Sequence, residues 1–212
     1  MSHLAQPPLR VAVLISGSGR TLKNFVDLAS AEQLPLDIRL AVSSSARASG
    51  LQHAQDAGIA TQVFDRDESA SDVEYGQSIF AACRAAEVDY VLMAGFLKLV
   101  PVPDDFVGRV VNIHPSLIPA FCGHGMYGDR VHQAVLDYGA KLTGCTVHFV
   151  DNQYDAGPII WQQPVPVFDD DTSSSLADRV FAAEKEAYPH VLKLLAAGKV
   201  KLTGRRVTIA AR

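Results

Sequence analysis

Cysteine is scarce in this chain of 212 residues. The three present, Cys83, Cys122 and Cys145, are odd in number and widely spaced. That excludes a disulfide-framework fold and offers no paired zinc-binding pattern. The thiols read as buried or incidental groups in a reducing compartment. A basic excess is also missing. Lys and Arg number 19 against 23 Asp and Glu, giving a net charge of -4. A broad nucleic-acid surface ordinarily needs the opposite balance, so that partner is not expected. Long apolar runs are absent. The first nine residues are polar and proline-bearing, and no segment reaches transmembrane length. The expectation is a cytoplasmic protein without a membrane partner. Hydrophobic residues make up 48% and charged residues 20%, a globular balance.

The apolar runs that do occur are short and ordered. Residues 10–16 (RVAVLIS), 37–43, 60–64, 89–94 and 110–114 (VVNIH) read as buried strands. Helical spacing separates them at 21–30, 50–57 and 72–86. Strands alternating with helices predict an α/β, doubly wound, mostly parallel sheet of Rossmann-like type. Beyond Pro115 the pattern changes. Residues 131–138 read as a helix. Residues 142–150 and 158–167 read as two strands joined by a short loop, an antiparallel extension of the sheet. Residues 175–197 form one long amphipathic pattern, a long C-terminal helix that Pro189 should kink or interrupt. The tail, 200–209, suggests a hairpin around Gly204 and Arg205. With no repeat or linker visible, residues 10–212 are expected to form a single domain behind a flexible segment, 1–9.

Three segments carry chemistry. Ser16-Gly17-Ser18-Gly19-Arg20-Thr21 lies between a strand and a helix. Glycines there allow close backbone approach, and the amides of a helix start favour an anion. Leu22 stands where a dinucleotide fingerprint needs a third glycine, and no P-loop lysine follows. Phosphate binding and a plain tight turn both remain open. The second segment is Asn112-Ile113-His114-Pro115. Alternate strand residues share a face, so Asn112 and His114 point the same way, and Pro115 ends the ladder beside them. This places an amide donor beside a titratable imidazole at a strand end. A satisfied polar pair is the alternative. The third is the loop from Asp151 through Asn152, Gln153 and Tyr154 to Asp155, followed by Ala-Gly-Pro. It offers carboxylates in a polar loop between apolar strands; Asp155 also suits an Asx-type turn. His124 lies inside a glycine-rich stretch and His132 follows it, but nothing completes a metal-ligand spacing, so no metal is expected.

Together these motifs resemble the phosphoribosylglycinamide formyltransferases, folate-dependent enzymes of purine synthesis. The likeness runs from about residue 10 to 197. It rests on Val13-Leu14-Ile15-Ser16-Gly17-Ser18-Gly19, on Ala94-Gly95-Phe96, on Asn112-Ile113-His114-Pro115-Ser116-Leu117-Ile118-Pro119, and on Thr146-Val147-His148-Phe149-Val150 leading to Asp155-Ala156-Gly157-Pro158. The resemblance implies a catalytic group of Asn112, His114 and Asp155. It implies a substrate phosphate held by Gly17, Ser18, Gly19, Arg20 and Thr21, with Glu184 against the glycinamide part. It implies a folate co-substrate, 10-formyltetrahydrofolate, bordered by Arg66, Met93, Leu97, Lys98, Leu99, Val100, Asn112 and the loop Asp151, Asn152, Gln153, Tyr154 and Asp155. The expected partners are small molecules, 5-phosphoribosylglycinamide and the folate. The expected state is a monomer or weak homodimer. The chain departs from the family pattern at Arg20-Thr21, where Ser-Asn is common. It departs again over residues 121–129, a longer loop than in many relatives. Arg66 matches an expected arginine only loosely. Relatives acting on methionyl-tRNA carry a further carboxyl-terminal module, and hydrolytic relatives an amino-terminal one. Neither is expected here. A formyltransferase for another phosphorylated amine, or a non-catalytic folate or nucleotide binder, are the alternatives.

Overall fold

The computed structural model describes residues 7–69 and 71–210. Most of the segment expected to be flexible, 1–6, lies outside the described residues. Strand β1 (Leu9–Ile15) begins one residue before its expected start, with Leu9 buried and paired to Leu36. It is followed by α1 (Arg20–Ser30), β2 (Leu36–Ser43), α2 (Leu51–Asp56), β3 (Ala60–Val63), α3 (Asp72–Ala85), β4 (Tyr90–Met93) and β5 (Val110–His114). Then come α4 (Asp129–Tyr138), β6 (Leu142–Phe149), β7 (Ile159–Pro166), α5 (Ser173–Ala196), β8 (Val200–Thr203) and β9 (Arg206–Ile209).

The seven strands of the main sheet lie in the order β3-β2-β1-β4-β5-β6-β7. The first five are parallel, and β6 and β7 add on antiparallel, as the sequence predicts. Both faces are covered, which is why the central strands are apolar throughout rather than alternating. On one face Leu22 and Phe25 of α1 pack with Val135 of α4 and with Leu176, Val180, Val191 and Leu192 of α5. On the other, Tyr75, Ile79 and Phe80 of α3 pack with Phe96, Val102 and Phe106. The β8–β9 hairpin forms around Gly204 and Arg205, and its Leu202 and Val207 lean on the first cluster. Cys83 and Cys145 are buried and free, and burial pushes both thiols up to about 12.

The long helix differs from expectation at Pro189. Helix α5 runs unbroken through it. Proline removes the N–H that would reach the carbonyl four residues back, at Lys185. That carbonyl instead accepts from Asn24 Nδ2 of α1 at 3.4 Å. Packing compensates the rest, since Ala187, Tyr188, Pro189, Val191 and Leu192 are all buried. The start of α5 is fixed by a reciprocal cap: Thr172 Oγ1 accepts from Ser175 N, and Ser175 Oγ from Thr172 N. No helix among the described residues is long and apolar enough to cross a membrane.

Candidate active site

In an open α/β sheet the loops beyond the carboxyl ends of the parallel strands form the natural crevice. Here those loops surround a cavity of about 400 Å³. Its walls are residues 16–21 after β1, 94–97 after β4, Asn112 and His114 of β5, Gly123, and residues 125–129 leading into α4. Tyr154 and Asp155 close one side, and Val180, Phe181 and Glu184 of α5 another.

His114 is the last residue of β5 and almost wholly buried. Its Nε2 lies 2.9 Å from the Phe121 carbonyl, which can only accept, so Nε2 carries a hydrogen. Its Nδ1 faces Asp155 Oδ2 at 3.4 Å. Both ring nitrogens thus face oxygen acceptors, an arrangement fully used only when both are protonated. At 3.4 Å the Asp155 contact is longer than a close hydrogen bond.

Asp155 reaches this place by a route the sequence does not display. The loop leaves β6 opposite the first residue of β5, where Val150 N donates to Val110 O, yet its carboxylate meets the last residue of that strand. Three contacts shape the return. Gly157 crosses so near Phe149 that any Cβ there would lie 1.8 Å from the Phe149 carbonyl oxygen. Asn152 Oδ1 accepts from Val102 N at 2.7 Å, and Arg205 Nη2 donates to the Ala156 carbonyl at 2.6 Å. Asp155 itself adopts φ 51°, a left-handed conformation that Asp tolerates better than most residues. Its Oδ2 also accepts from Gly123 N at 2.9 Å, tying it to the glycine-rich loop.

Asn112 shares the face of His114, as strand alternation predicts. Across the β5–β6 ladder it sits opposite His148. His148 Nδ1 donates to the Phe149 carbonyl at 2.8 Å, which leaves Nε2 to accept from Asn112 Nδ2 at 3.3 Å. Burial is the largest cause holding the His148 pKa below its ordinary value, in keeping with a neutral ring; the Phe149 carbonyl and Asp155 oppose it. One Asn112 N–H is therefore spent on His148, and Asn112 itself lines the cavity. His148 Nε2 is also 3.8 Å from Asp155 Oδ1, so the carboxylate stands between two imidazoles. His148 was not among the expected site residues. Its place opposite Asn112 depends on a register that sequence alone does not supply.

The glycine turn lines the same cavity. Gly19 takes φ 66° at the start of α1, and a Cβ there would lie 2.7 Å from Gly50 Cα, so glycine is required on both counts. Arg20 lies over the Phe181 ring at 3.8 Å and within 3.5 Å of Asp178. Ser18, Thr21 and Glu184 line the same space. Burial raises the Glu184 carboxyl from its ordinary 4.5 to about 7, while Arg20 opposes this. A carboxyl raised on folding favours the folded state at low pH and penalises it as pH climbs. Glu184→Gln is therefore expected to stabilise the free protein by roughly 1–3 kcal/mol at pH 8. The gain should shrink through the interval between 7 and 4.5 and vanish below it. Chemical denaturation at pH 8 and pH 4.5 measures both, and an equal effect at the two values would contradict it.

Not every expected residue meets the cavity. Leu97, Tyr154 and Asp155 line it, but Lys98, Leu99, Asp151 and Gln153 do not, and Met93 and Val100 are buried in the core. Asn152 acts as the clasp to Val102. Arg66 is committed elsewhere, donating to Asp72 Oδ1 at 2.6 Å and to the Ser69 carbonyl at 2.9 Å. His124 stacks edge-on against Tyr154 with ring centroids 5.3 Å apart. Among the described residues no group of three or more His, Cys, Asp or Glu is arranged to hold a metal ion.

Comparison with known proteins places this arrangement. A formyl transferase family model matches residues 9–192. A trifunctional purine biosynthetic protein adenosine-3 from Gallus gallus is 38% identical over 196 residues, covering 92% of this chain but 19% of that protein. The chain thus spans about a fifth of that relative's length. A chloroplastic phosphoribosylglycinamide formyltransferase from Vigna unguiculata is 39% identical over 191 residues, covering 88% of this chain and 60% of that one. The crystal structure of glycinamide ribonucleotide transformylase 1 from Symbiobacterium toebii superposes with a TM-score of 0.92 at 36% identity, covering 100% of this chain and 98% of the other. The family match begins in β1, ends in α5 and takes in every loop of the cavity, and the chain belongs to the formyl transferase family.

Proposed function

We propose that residues 10–212 act as one domain that transfers a formyl group from 10-formyltetrahydrofolate to the amine of 5-phosphoribosylglycinamide, a step of purine synthesis. The observation that carries this reading is that Asn112, His114 and Asp155 line the same cavity as a glycine turn suited to phosphate, with His114 Nδ1 3.4 Å from Asp155. The phosphate of the acceptor lies on residues 17–21 with Arg20, and its glycinamide part on Glu184. The folate enters between Leu97 and the Tyr154–Asp155 end of the loop after β6. The substrate amine attacks the formyl carbon, and the carbonyl oxygen becomes anionic. The free Asn112 N–H and the Nδ1 proton of His114 donate to that oxygen. The carbon–nitrogen bond to the folate then breaks, and a proton passes from the amine to the departing folate nitrogen. His114 is placed to relay it, directly or through a water held by Asp155. Asp155 stabilises the positive charge on His114 meanwhile. The step needs no oxidant, reductant or metal. The reading extends to a cytoplasmic enzyme, monomeric or weakly dimeric, that binds small molecules rather than nucleic acid.

The test is turnover with 10-formyltetrahydrofolate and a panel of phosphorylated amines, following tetrahydrofolate and the formylated product together. The reading expects 5-phosphoribosylglycinamide to have the highest kcat/KM. Preference for another amine would transfer the assignment to that acceptor. Formate release without an acceptor would make the protein a hydrolase, and binding without turnover would make it a carrier.

A further inference from the structure

The contact between Arg20 and Phe181 is left unused by the chemistry above. Arg20 is the first residue of α1, and its Cζ lies 3.8 Å from the centroid of the Phe181 ring on α5. Both residues line the cavity. Asp178, at 3.5 Å, is the one ion-pair partner of Arg20 among the described residues, and both side chains are exposed. That distance is longer than a charge-assisted hydrogen bond, about 2.7–2.9 Å, so the guanidinium N–H groups are not committed to it. The ring beside Arg20 is held by a seam between the two helices. Four residues on along each helix, Asn24 Nδ2 donates to the Lys185 carbonyl at 3.4 Å. Further in, the fully buried rings of Phe25 and Tyr188 meet edge to face with centroids 5.0 Å apart. That buried end fixes how α1 lies on α5, and with it where Phe181 stands relative to Arg20.

The ring gathers charge. Lys185 Nζ lies 5.5 Å from the Phe181 centroid, so two cations attend one aromatic side chain. Burial raises the Glu184 carboxyl, and Arg20 is the charge that opposes it, so the field of the guanidinium reaches a group that lines the cavity. An arginine is a long, rotamer-rich side chain, and ordering it at the moment of binding costs affinity. A guanidinium set on an aromatic face is held by cation–π attraction, while its N–H donors, which lie in its own plane, stay open to a phosphate. We propose that Phe181 is a positioning residue that holds the Arg20 guanidinium in place, ahead of binding, as a clamp for the phosphate of the acceptor. The proposal rests on the formyl-transfer reading for the identity of the acceptor, and deepens it by giving α5 a part in phosphate recognition.

The experiment is a double-mutant cycle read by calorimetry with ribose 5-phosphate, which needs no formyl donor. Phe181→Leu keeps an apolar side chain and removes the ring; Phe181→Met takes its place if thermal melting shows that variant to be poorly folded. Loss of an exposed cation–π seat corresponds to binding weakened roughly two- to fivefold. Phe181→Tyr, which keeps the aromatic face, should restore most of that loss. Arg20→Gln alone should weaken binding more, by at least about tenfold. Adding Phe181→Leu to Arg20→Gln should then change nothing further. An undiminished loss in that background would mean that the ring acts without Arg20, and overturns the proposal. So does Phe181→Leu that binds like wild type, a tyrosine that fails to rescue, or wild type that does not bind ribose 5-phosphate. In turnover, Phe181→Leu should raise the acceptor KM by the same factor, with kcat and the KM for 10-formyltetrahydrofolate within about twofold. A fall in kcat at unchanged acceptor KM overturns the assignment. Wild type that follows this pattern with ribose 5-phosphate but never formylates 5-phosphoribosylglycinamide keeps the clamp and removes the function proposed above.

Discussion

His114→Ala is expected to lower kcat for formyl transfer by about 10³-fold while leaving the KM of both substrates within a few-fold. The size follows from two roles held by one ring. A positioned acid–base group contributes about 10²–10⁴, and a donor aimed at a developing oxyanion about 10²–10³. The two overlap, so they do not multiply. The ring is almost wholly buried and bonds the Phe121 carbonyl, so a loss of stability of about 1–3 kcal/mol is expected alongside. Thermal melting separates the cases. A folded variant with turnover near wild type would remove His114 from the chemistry, whereas an unfolded one would be replaced by His114→Gln, which keeps a donor toward Phe121.

Asp155→Asn should cost about 10²-fold in kcat. The amide keeps the shape of the side chain and can still accept from Gly123 N through one oxygen. What disappears is the negative charge 3.4 Å from His114 Nδ1 and 3.8 Å from His148 Nε2. The asparagine therefore isolates the electrostatic part of the role from the loop-anchoring part. Asp155→Ala should lose both, with a further fall in kcat and a rise in folate KM as the loop loosens. If Asp155→Asn matched wild type while Asp155→Ala did not, the carboxylate would be an anchor only.

Much of this arrangement is legible in the sequence, for definable reasons. Period two in residues 110–114 puts Asn112 and His114 on one face, because strand alternation is local geometry. Glycines 17 and 19 mark the turn after the first strand for the same kind of reason. The approach of Asp155 to His114 is not local. It is produced by the Gly157 crossing under Phe149, by Asn152 reaching Val102, and by Arg205 from the terminal hairpin holding Ala156. Each of these joins residues far apart in the chain or set by tertiary packing. His148 stayed hidden because its importance depends on pairing register with Asn112. Pro189 misleads as a helix breaker because the carbonyl it orphans finds Asn24 on another helix. Arg66, an arginine in a plausible loop, turns out to be held by Asp72 and Ser69.

The central claim is that His114 and Asp155 work as one unit on the transferred formyl group. Single-turnover rates for His114→Ala, Asp155→Ala and the double variant, with 10-formyltetrahydrofolate and 5-phosphoribosylglycinamide, test it most directly. If the two act together, the double variant should be scarcely slower than His114→Ala alone. Losses that multiply in full would mean that the two side chains act independently, and would contradict the account.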